Sequence, residues 1–234
     1  MQTVSALYEA LFNDEFHSKE HKAVIAGVEY GEDAIVGAPE VVHAMFASQT
    51  PGIGGCVAGA LDLAVIPKGE IPKMAQIRMF TRLSGQVNGV RQVSEWIPKG
   101  VFYIDTRAAD RASGVVTIRA YDAMLKAEQL FLTETTEDDW PKPMDEVVAE
   151  IAARMGLALD SRTVLSSAFS VGFPVEYTMR EVLGHIAVAM AGNWCITDAG
   201  KLRLVSLAQL PAETSYLVSE DGDVILFGDT RILV

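Results

Sequence analysis

The first half of the chain alternates short apolar runs with turn residues, the pattern of β-strands joined by short connections. Before them, apolar residues recur at i, i+3, i+4 and i+7 and predict an amphipathic helix over residues 4–12. Six strands are predicted, over 23–30, 57–66, 75–83, 92–97, 101–107 and 115–120. Gly, Pro and Asn between the runs mark turns, as at Pro98-Lys99-Gly100. Strands this short and closely spaced favour an antiparallel barrel or sandwich over βαβ units.

After Tyr121 the period of the apolar residues changes from that of strands to that of helices. Residues 122–131 are compatible with a helix. A clearer helix is predicted over 144–155, where apolar residues share one face. It begins after Pro143 and stops at Gly156, which suits the first turn and the left-handed C-terminal position of a helix.

A second helix is predicted over 179–190, with the same spacing of apolar residues. Thr178 and Glu181 have the spacing of a capping box at its start, and Gly192 is predicted to close it. A β-hairpin should follow over 194–207, turning at Asp198-Ala199-Gly200.

The order of elements predicts an α+β fold that is mainly β. A β domain, either a barrel or a sandwich, is interrupted by a small α+β insertion domain. Residues 1–122 are assigned to the first part of the β domain and 123–207 to the insertion. Residues 208–234 are strand-like again and are predicted to return to the β domain. The sequence stops within a strand pattern, so we expect it to be a piece of a longer protein.

Composition narrows the function classes. The 234 residues are 50% hydrophobic and 21% charged, which is typical of a globular protein of one large or two small domains. The net charge of −12 and the lack of a Lys/Arg run argue against specific nucleic-acid binding. Two cysteines 139 positions apart, Cys56 and Cys195, fit a reducing compartment. Neither a secretory signal nor a membrane-spanning apolar stretch is found, which favours synthesis in the cytoplasm.

Several motifs invite a chemical interpretation, and each has a simpler structural one. His17 and His21 have the spacing of a zinc-binding helix, but Ser18 occupies the Glu position of HExxH, so a solvated polar loop is favoured. The glycine-rich stretch 52–55 is followed by the strand-like run 57–66 in place of the helix of a dinucleotide site, and it has no Gly-Lys-Ser/Thr, so it is interpreted as a flexible loop.

Other candidates for catalysis also lack partners in the sequence. Cys56 has no recognisable histidine motif and is interpreted as an inert structural cysteine. His43 and His185 are interpreted as surface or packed side chains, and the acidic residues of 134–139 as an exposed linker. We therefore predict no catalytic residue, no cofactor-binding residue and no metal ligand, and we expect the protein not to be an enzyme.

Four stretches together resemble a known family. They read EWIPKGVFYI at 95–104, VTIRAYDAML at 116–125, YTMREVL at 177–183 and GNWCITDAGKL at 192–202. Over about 23–207 the chain is similar to prophage tail proteins of the baseplate-hub or tail-tip family, which is related to the central hub of contractile-tailed phages. These motifs are structural rather than catalytic.

The resemblance implies a structural role by assembly. Family members carry tail-tube-like β-barrels interrupted by a smaller α+β domain, and they form homotrimers whose paired barrels build a pseudo-sixfold ring. The ring joins the tail tube to the spike, so the implied partners are tube, spike and other baseplate proteins. A complete hub has a second barrel, which would make this chain the first barrel and its insertion. The implied location is the virion tail, after synthesis in the bacterial cytoplasm.

Two other function classes stay open. One is a tail-associated hydrolase whose catalytic part is absent or unrecognised, and the other is a small-ligand or carbohydrate-binding barrel module. Four aromatic residues are candidate interface anchors, although for each the favoured interpretation is a place in a core: Trp96, Tyr103, Trp140 and Trp194.

Overall fold

One antiparallel sheet of eight strands forms the largest element of the fold. The structure is a computed structural model that describes residues 4–46, 50–87, 89–132, 137–166 and 169–207, with the backbone of 226–227 and 230–231. The strands are β1 Ser18–Ile25, β2 Val28–Tyr30, β3 Glu40–Val42, β4 Ala60–Val65, β5 Gln76–Val87, β6 Val90–Val93, β7 Ile97–Ala109 and β8 Val116–Asp122. Their order across the sheet is β2-β1-β5-β7-β8-β4-β3, and β6 pairs with the distal part of β5.

The inward face of this sheet supplies the first of two hydrophobic cores. Along β5, Ile77, Met79 and Leu83 are buried and alternate with exposed or half-buried residues, as expected for a strand with one face on the core. One cluster of buried side chains gathers residues from β1, β2, β4, β5, β7 and β8. The sheet therefore curls around its own side chains.

The predicted barrel does not appear as a closed sheet. Strands β2 and β3 are its two edges, and no pairing joins them within the described part of the chain. The chain itself connects the two sides: after β2 it crosses to β4, where Val36 N donates to Ala64 O and Ile66 N to Ala34 O, both at 2.8 Å. The mainly β character is confirmed, whereas hydrogen-bonded closure is not shown.

The structure corrects two predictions about where the chain turns. The single strand predicted over 23–30 is a hairpin, because Ala26 and Gly27 have φ of 49° and 88° and reverse the chain between β1 and β2. The predicted turn Pro98-Lys99-Gly100 lies inside β7 as a β-bulge. Met79 pairs with Gly100 and Phe80 with Pro98, which leaves Lys99 as the extra residue.

The N-terminal helix is confirmed as α1, Ala6–Phe12. The Ser5 side chain caps it by accepting from Tyr8 N at 3.1 Å. Ser5 is in turn held by Glu95, whose carboxylate accepts from its N–H at 2.7 Å and from its hydroxyl at 2.6 Å. Leu11 is buried against the sheet, whereas Phe12 is exposed.

The second core lies after β8, where the helical periodicity begins. It contains a 3-10 helix Ala123–Glu128, helices α2 Met144–Met155 and α3 Met179–Ala189, and the hairpin of β11 Gly192–Ile196 with β12 Leu202–Ser206. Short strands β9 Lys142–Pro143 and β10 Ser170–Val171 pair beside α2. Trp194 is fully buried at its centre and donates from Nε1 to Leu183 O at 2.8 Å.

Both predicted helices are confirmed, with one correction at a helix end. Gly156 ends α2 with φ 72°, and Thr178 and Glu181 form the capping box of α3. Gly192 does not close α3, because Ala191 takes the left-handed conformation (φ 46°) and Gly192 is the first residue of β11. A Cβ on Gly192 would lie 2.6 Å from Val205 O, so glycine is required there by close strand contact. The helix predicted over 122–131 is the shorter 3-10 helix Ala123–Glu128.

The division into 1–122, 123–207 and 208–234 stays a prediction. Most of 208–234 lies outside the described residues, including Val218. The backbone described there forms a small hairpin of β13 Leu226–Phe227 with β14 Thr230–Arg231. None of the helices in the described ranges is both long and apolar enough to cross a bilayer.

A charge placed in the second core tests its assignment. Val148 on α2 is fully buried, so Val148→Asp should lower the free energy of unfolding by about 4 kcal/mol or more, because an unpaired carboxylate is buried. Ala149 is exposed on the same helix, and Ala149→Asp should cost about 1 kcal/mol or less. Urea unfolding of both variants measures this, and equal small losses would contradict the assignment.

Candidate functional site: the cleft between the two cores

A cleft of about 500 Å³ lies where the two cores meet. From the sheet it is lined by the loop after β3, the residues leading into β4, the bulge of β7 and the end of β8. From the second core it is lined by the loop after α2 and by the β11–β12 hairpin. Clefts at such junctions are common ligand sites.

Asp122 joins the two sides at the base of the cleft. It is the last residue of β8 and is 3% exposed. Its Oδ2 accepts from Gly59 N at 2.7 Å, and its Oδ1 accepts from Met124 N at 2.9 Å, which caps the 3-10 helix. Burial raises the pKa of this carboxyl to about 6, although both hydrogen bonds favour the charged form.

His43, from the loop after β3, links three segments around the cleft. Its Nε2 lies 3.1 Å from Lys99 O in the bulge and 3.5 Å from Asp198 Oδ1 in the β11–β12 turn. A carbonyl oxygen can only accept, so Nε2 carries the hydrogen in this arrangement. The ring also packs against Phe102, with centroids 6.0 Å apart.

Gly59 is the residue that allows Asp122 and His43 to lie this close. A Cβ at this position would be 2.8 Å from Asp122 Oδ2 and 2.9 Å from His43 Nδ1. Both neighbours are held by hydrogen bonds to other residues, Asp122 to Met124 N and His43 to Lys99 O, so neither can move away cheaply.

The opposite wall of the cleft carries cations, of which only some are paired. Arg162 binds Asp160 in a bidentate manner, with N···O distances of 2.7 and 2.9 Å, and holds the pKa of that carboxyl well below its usual range. Lys201 and Arg203 also line the cleft, and neither side chain has a hydrogen bond or ion pair within the described ranges.

The two cysteines lie near this region as neutral thiols. Burial raises the pKa of Cys56 to about 12 and also raises the pKa of Cys195. A thiol with so high a pKa is a poor nucleophile at neutral pH, which supports the interpretation of Cys56 as a structural residue. Among the described residues no group of His, Cys, Asp and Glu is arranged to hold a metal ion.

The other candidates from the sequence lie apart from the cleft. His21 lies on β1 and is half-buried, so the predicted polar loop is wrong for this residue, whereas His17 precedes the strand and contacts Asp14 O through Nδ1 at 2.7 Å. His185 is exposed and packs edge-on against Tyr177, at 5.2 Å between centroids. Of the acidic residues of 134–139, those at 137–139 form an exposed 3-10 turn, and the rest lie outside the described residues.

The glycine-rich stretch 52–55 is a loop without regular strands, as predicted, and it packs against the second core. Gly54 N donates to Gly192 O at 2.9 Å, and Gly55 N donates to Asn193 Oδ1 at 2.6 Å. Its N–H groups are therefore engaged within the protein at these two positions.

Comparison with solved structures identifies proteins of the same fold. The crystal structure of the 43 kDa tail protein of prophage MuSo2 from Shewanella oneidensis is similar over 91% of this chain and 62% of that one, with a TM-score of 0.54 and 15% identity. The crystal structure of the tail protein from Neisseria meningitidis MC58 is similar over 80% and 51%, with a TM-score of 0.51 and 11% identity. The chain thus spans less than two thirds of either protein. No protein-family model matches the chain, and no curated protein matches it in sequence.

The cleft was not predicted from the sequence, although the sequence contains one signal for it. Asp122 stands at the end of a strand and directly before a helical period, which is the position of an N-cap. That signal predicts the bond to Met124 N. The bond to Gly59 joins residues 63 positions apart and has no local signature.

The raised pKa of Asp122 can be measured directly. Its Cγ resonance in a ¹³C NMR titration should report a pKa near 6, and Asp122→Asn identifies the resonance by its loss. Because the folded-state pKa lies above the ordinary value of 3.8, the stability contributed by this group is full below that pH and is lost as pH rises through about 6. A midpoint near 3.8 would contradict the buried environment.

Gly59→Ala tests the tight contact under the cleft. We expect a loss of about 2 kcal/mol in the free energy of unfolding, because the methyl group overlaps Asp122 and His43. Gly69→Ala is the control, since a Cβ there meets no atom within 4 Å and should cause no loss. Thermal and urea unfolding compare the two variants, and equal stability would show that the contact relaxes without cost.

Proposed function

We propose that the protein is a structural component of a phage-like tail, at the baseplate hub or tail tip, where it joins the tube to the spike. The observation that carries the proposal is the fold it shares with two tail proteins, over 91% and 80% of the chain. In this role the protein acts by assembly and not by catalysis. Its place of action is the virion tail, after synthesis in the bacterial cytoplasm.

Assembly as a homotrimeric ring is the proposed mechanism. A closed ring requires two different complementary surfaces on each protomer, related by a rotation that closes. The curled sheet is the module that would continue the tube by sheet-to-sheet contacts with tube and neighbouring protomers. The second core would then decorate the ring or contact other baseplate proteins.

The net charge of −12 suits a surface past which DNA must move, because an acidic channel repels phosphate groups. We propose that part of this charge faces the lumen of the ring.

The four candidate anchors differ in how much surface they leave for partners. Trp194 is fully buried, and Tyr103 and Trp140 pack against the second core. Trp96 is half-buried on the sheet, where its ring lies 4.4 Å from the Arg82 guanidinium and 4.7 Å from the Lys22 ammonium. Trp96 is therefore the anchor best placed to contact a neighbour.

No observation on the described residues favours the hydrolase or the carbohydrate-binding module.

Solution mass tests the ring. Light scattering across a wide concentration range should give three times the 25.3 kDa of one chain, and the trimer should persist on dilution. A mass of one chain at every concentration would contradict the trimer for this chain. Catalytic turnover of peptidoglycan or peptide substrates, lost in Cys56→Ala or His43→Ala, would instead favour a hydrolase.

A further inference from the structure

We propose that the cleft between the two cores binds a carboxylate through Arg203 and Lys201, and that an acidic side chain of a neighbouring protein chain supplies it. The assignment of the carboxylate to a neighbouring protein chain rests on the proposed role in tail assembly. The assignment of the binding site rests on the contacts within the cleft.

Arg203 is a cation with unfilled hydrogen-bonding capacity. Its Nε lies out of contact with solvent and has no hydrogen-bond acceptor in the described part of the chain. Asp160 is close enough to interact with it electrostatically, but Arg162 already binds both oxygens of that carboxylate. Arg203 as a whole is only half-buried and lines the cleft, so a ligand there would bind the terminal amino groups of the guanidinium and not the enclosed Nε.

Lys201 adds a second positive charge on the same side of β12. Residues 201 and 203 face the cleft, while the intervening Leu202 is buried in the second core. Lys201 is exposed, and none of the described carboxylates forms an ion pair with it. Two unpaired cations side by side, on a chain with a net charge of −12, mark a local site for an anion.

The other groups of the cleft favour a carboxylate over a phosphate. Asp122, Asp160 and Asp198 also line it, and they would repel a dianion more than a monoanion. The planar guanidinium can bind two oxygens of either a carboxylate or a phosphate, so the preference for a carboxylate comes from its lower charge. The glycine-rich stretch 52–55 gives no phosphate cradle, since the N–H groups of Gly54 and Gly55 are engaged by Gly192 and Asn193.

A protein segment fits the cleft better than a free organic acid. Apolar side chains line it beside the charges, among them Met45, Val57 and Ile196. They would contact apolar residues that flank the acidic side chain in a peptide, and a small acid such as acetate has no such groups. An acidic residue between apolar neighbours is therefore the expected ligand.

Titration of the whole chain with an acetylated, amidated Leu-Glu-Leu tripeptide tests the site. The Nε–Hε resonance of Arg203 should shift saturably, and the Leu-Gln-Leu peptide should bind at least tenfold more weakly. Arg203→Gln should weaken binding of the glutamate peptide by at least tenfold. Arg107→Gln removes one charge from the exposed end of β7 and should leave binding unchanged. Thermal unfolding establishes that both variants are folded.

Several outcomes would overturn the proposal. Equal binding of the two peptides, or binding that survives Arg203→Gln, would show that no carboxylate is held there. Tighter binding of inorganic phosphate would assign the cleft to another anion, and acetate that binds as tightly as the glutamate peptide would assign it to free acids. Peptide binding and solution mass are separate measurements, so failure of the trimer and failure of this site give separate results.

Discussion

The fold depends on one buried carboxylate, that of Asp122, which ties the sheet to the second core. Each of its oxygens accepts a hydrogen bond from a backbone N–H: Oδ2 from Gly59, just before β4, and Oδ1 from Met124, in the first turn of the 3-10 helix. The backbone N–H of Asp122 also donates to Gly59 O at 2.9 Å, so the junction is closed from both sides. Burial makes the charged form costly, as the raised pKa shows, and the two amide hydrogen bonds offset part of that cost. Neither module could rotate about β8 without leaving these donors unpaired.

The cleft follows from this junction. Because Asp122 fixes the end of β8 against Gly59, the loop carrying His43 and the β7 bulge lie above it, and the β11–β12 turn faces them. Gly59 sets how close these segments come, since a single methyl group would overlap two of them. The bulge at Lys99 also shapes the cleft, because it directs the carbonyl of Lys99 toward the His43 ring. Local irregularities of the sheet thus position the polar wall of the cleft.

The helices could be predicted from the sequence because their signals are local. The spacing of apolar residues marks each helix along its own length. The end signals are equally local, since Gly156 directly follows α2 and the Thr178–Glu181 capping box lies at the start of α3. Turn signals are less specific: Pro98-Lys99-Gly100 reads as a turn but forms a bulge, because β5 pairs on both sides of it. The cleft could not be predicted, since Gly59, Asp122 and Arg203 are distant in the sequence and line one cleft only through tertiary packing. The mainly β class could be predicted from the sequence. The open form of the sheet could not, because it depends on where the chain crosses after β2.

The position of the cleft bears on how such a protein would assemble. A ligand that binds Arg203 touches the second core, while the opposite wall belongs to the sheet through His43 and Asp122. A partner in the cleft would therefore contact both modules at once and favour one arrangement of the two. In the proposed tail role, the chain would have to keep the two modules in one arrangement. Binding across the Asp122 junction would add contacts between the two modules beside the Asp122 hydrogen bonds, which connects the proposed site with the proposed role.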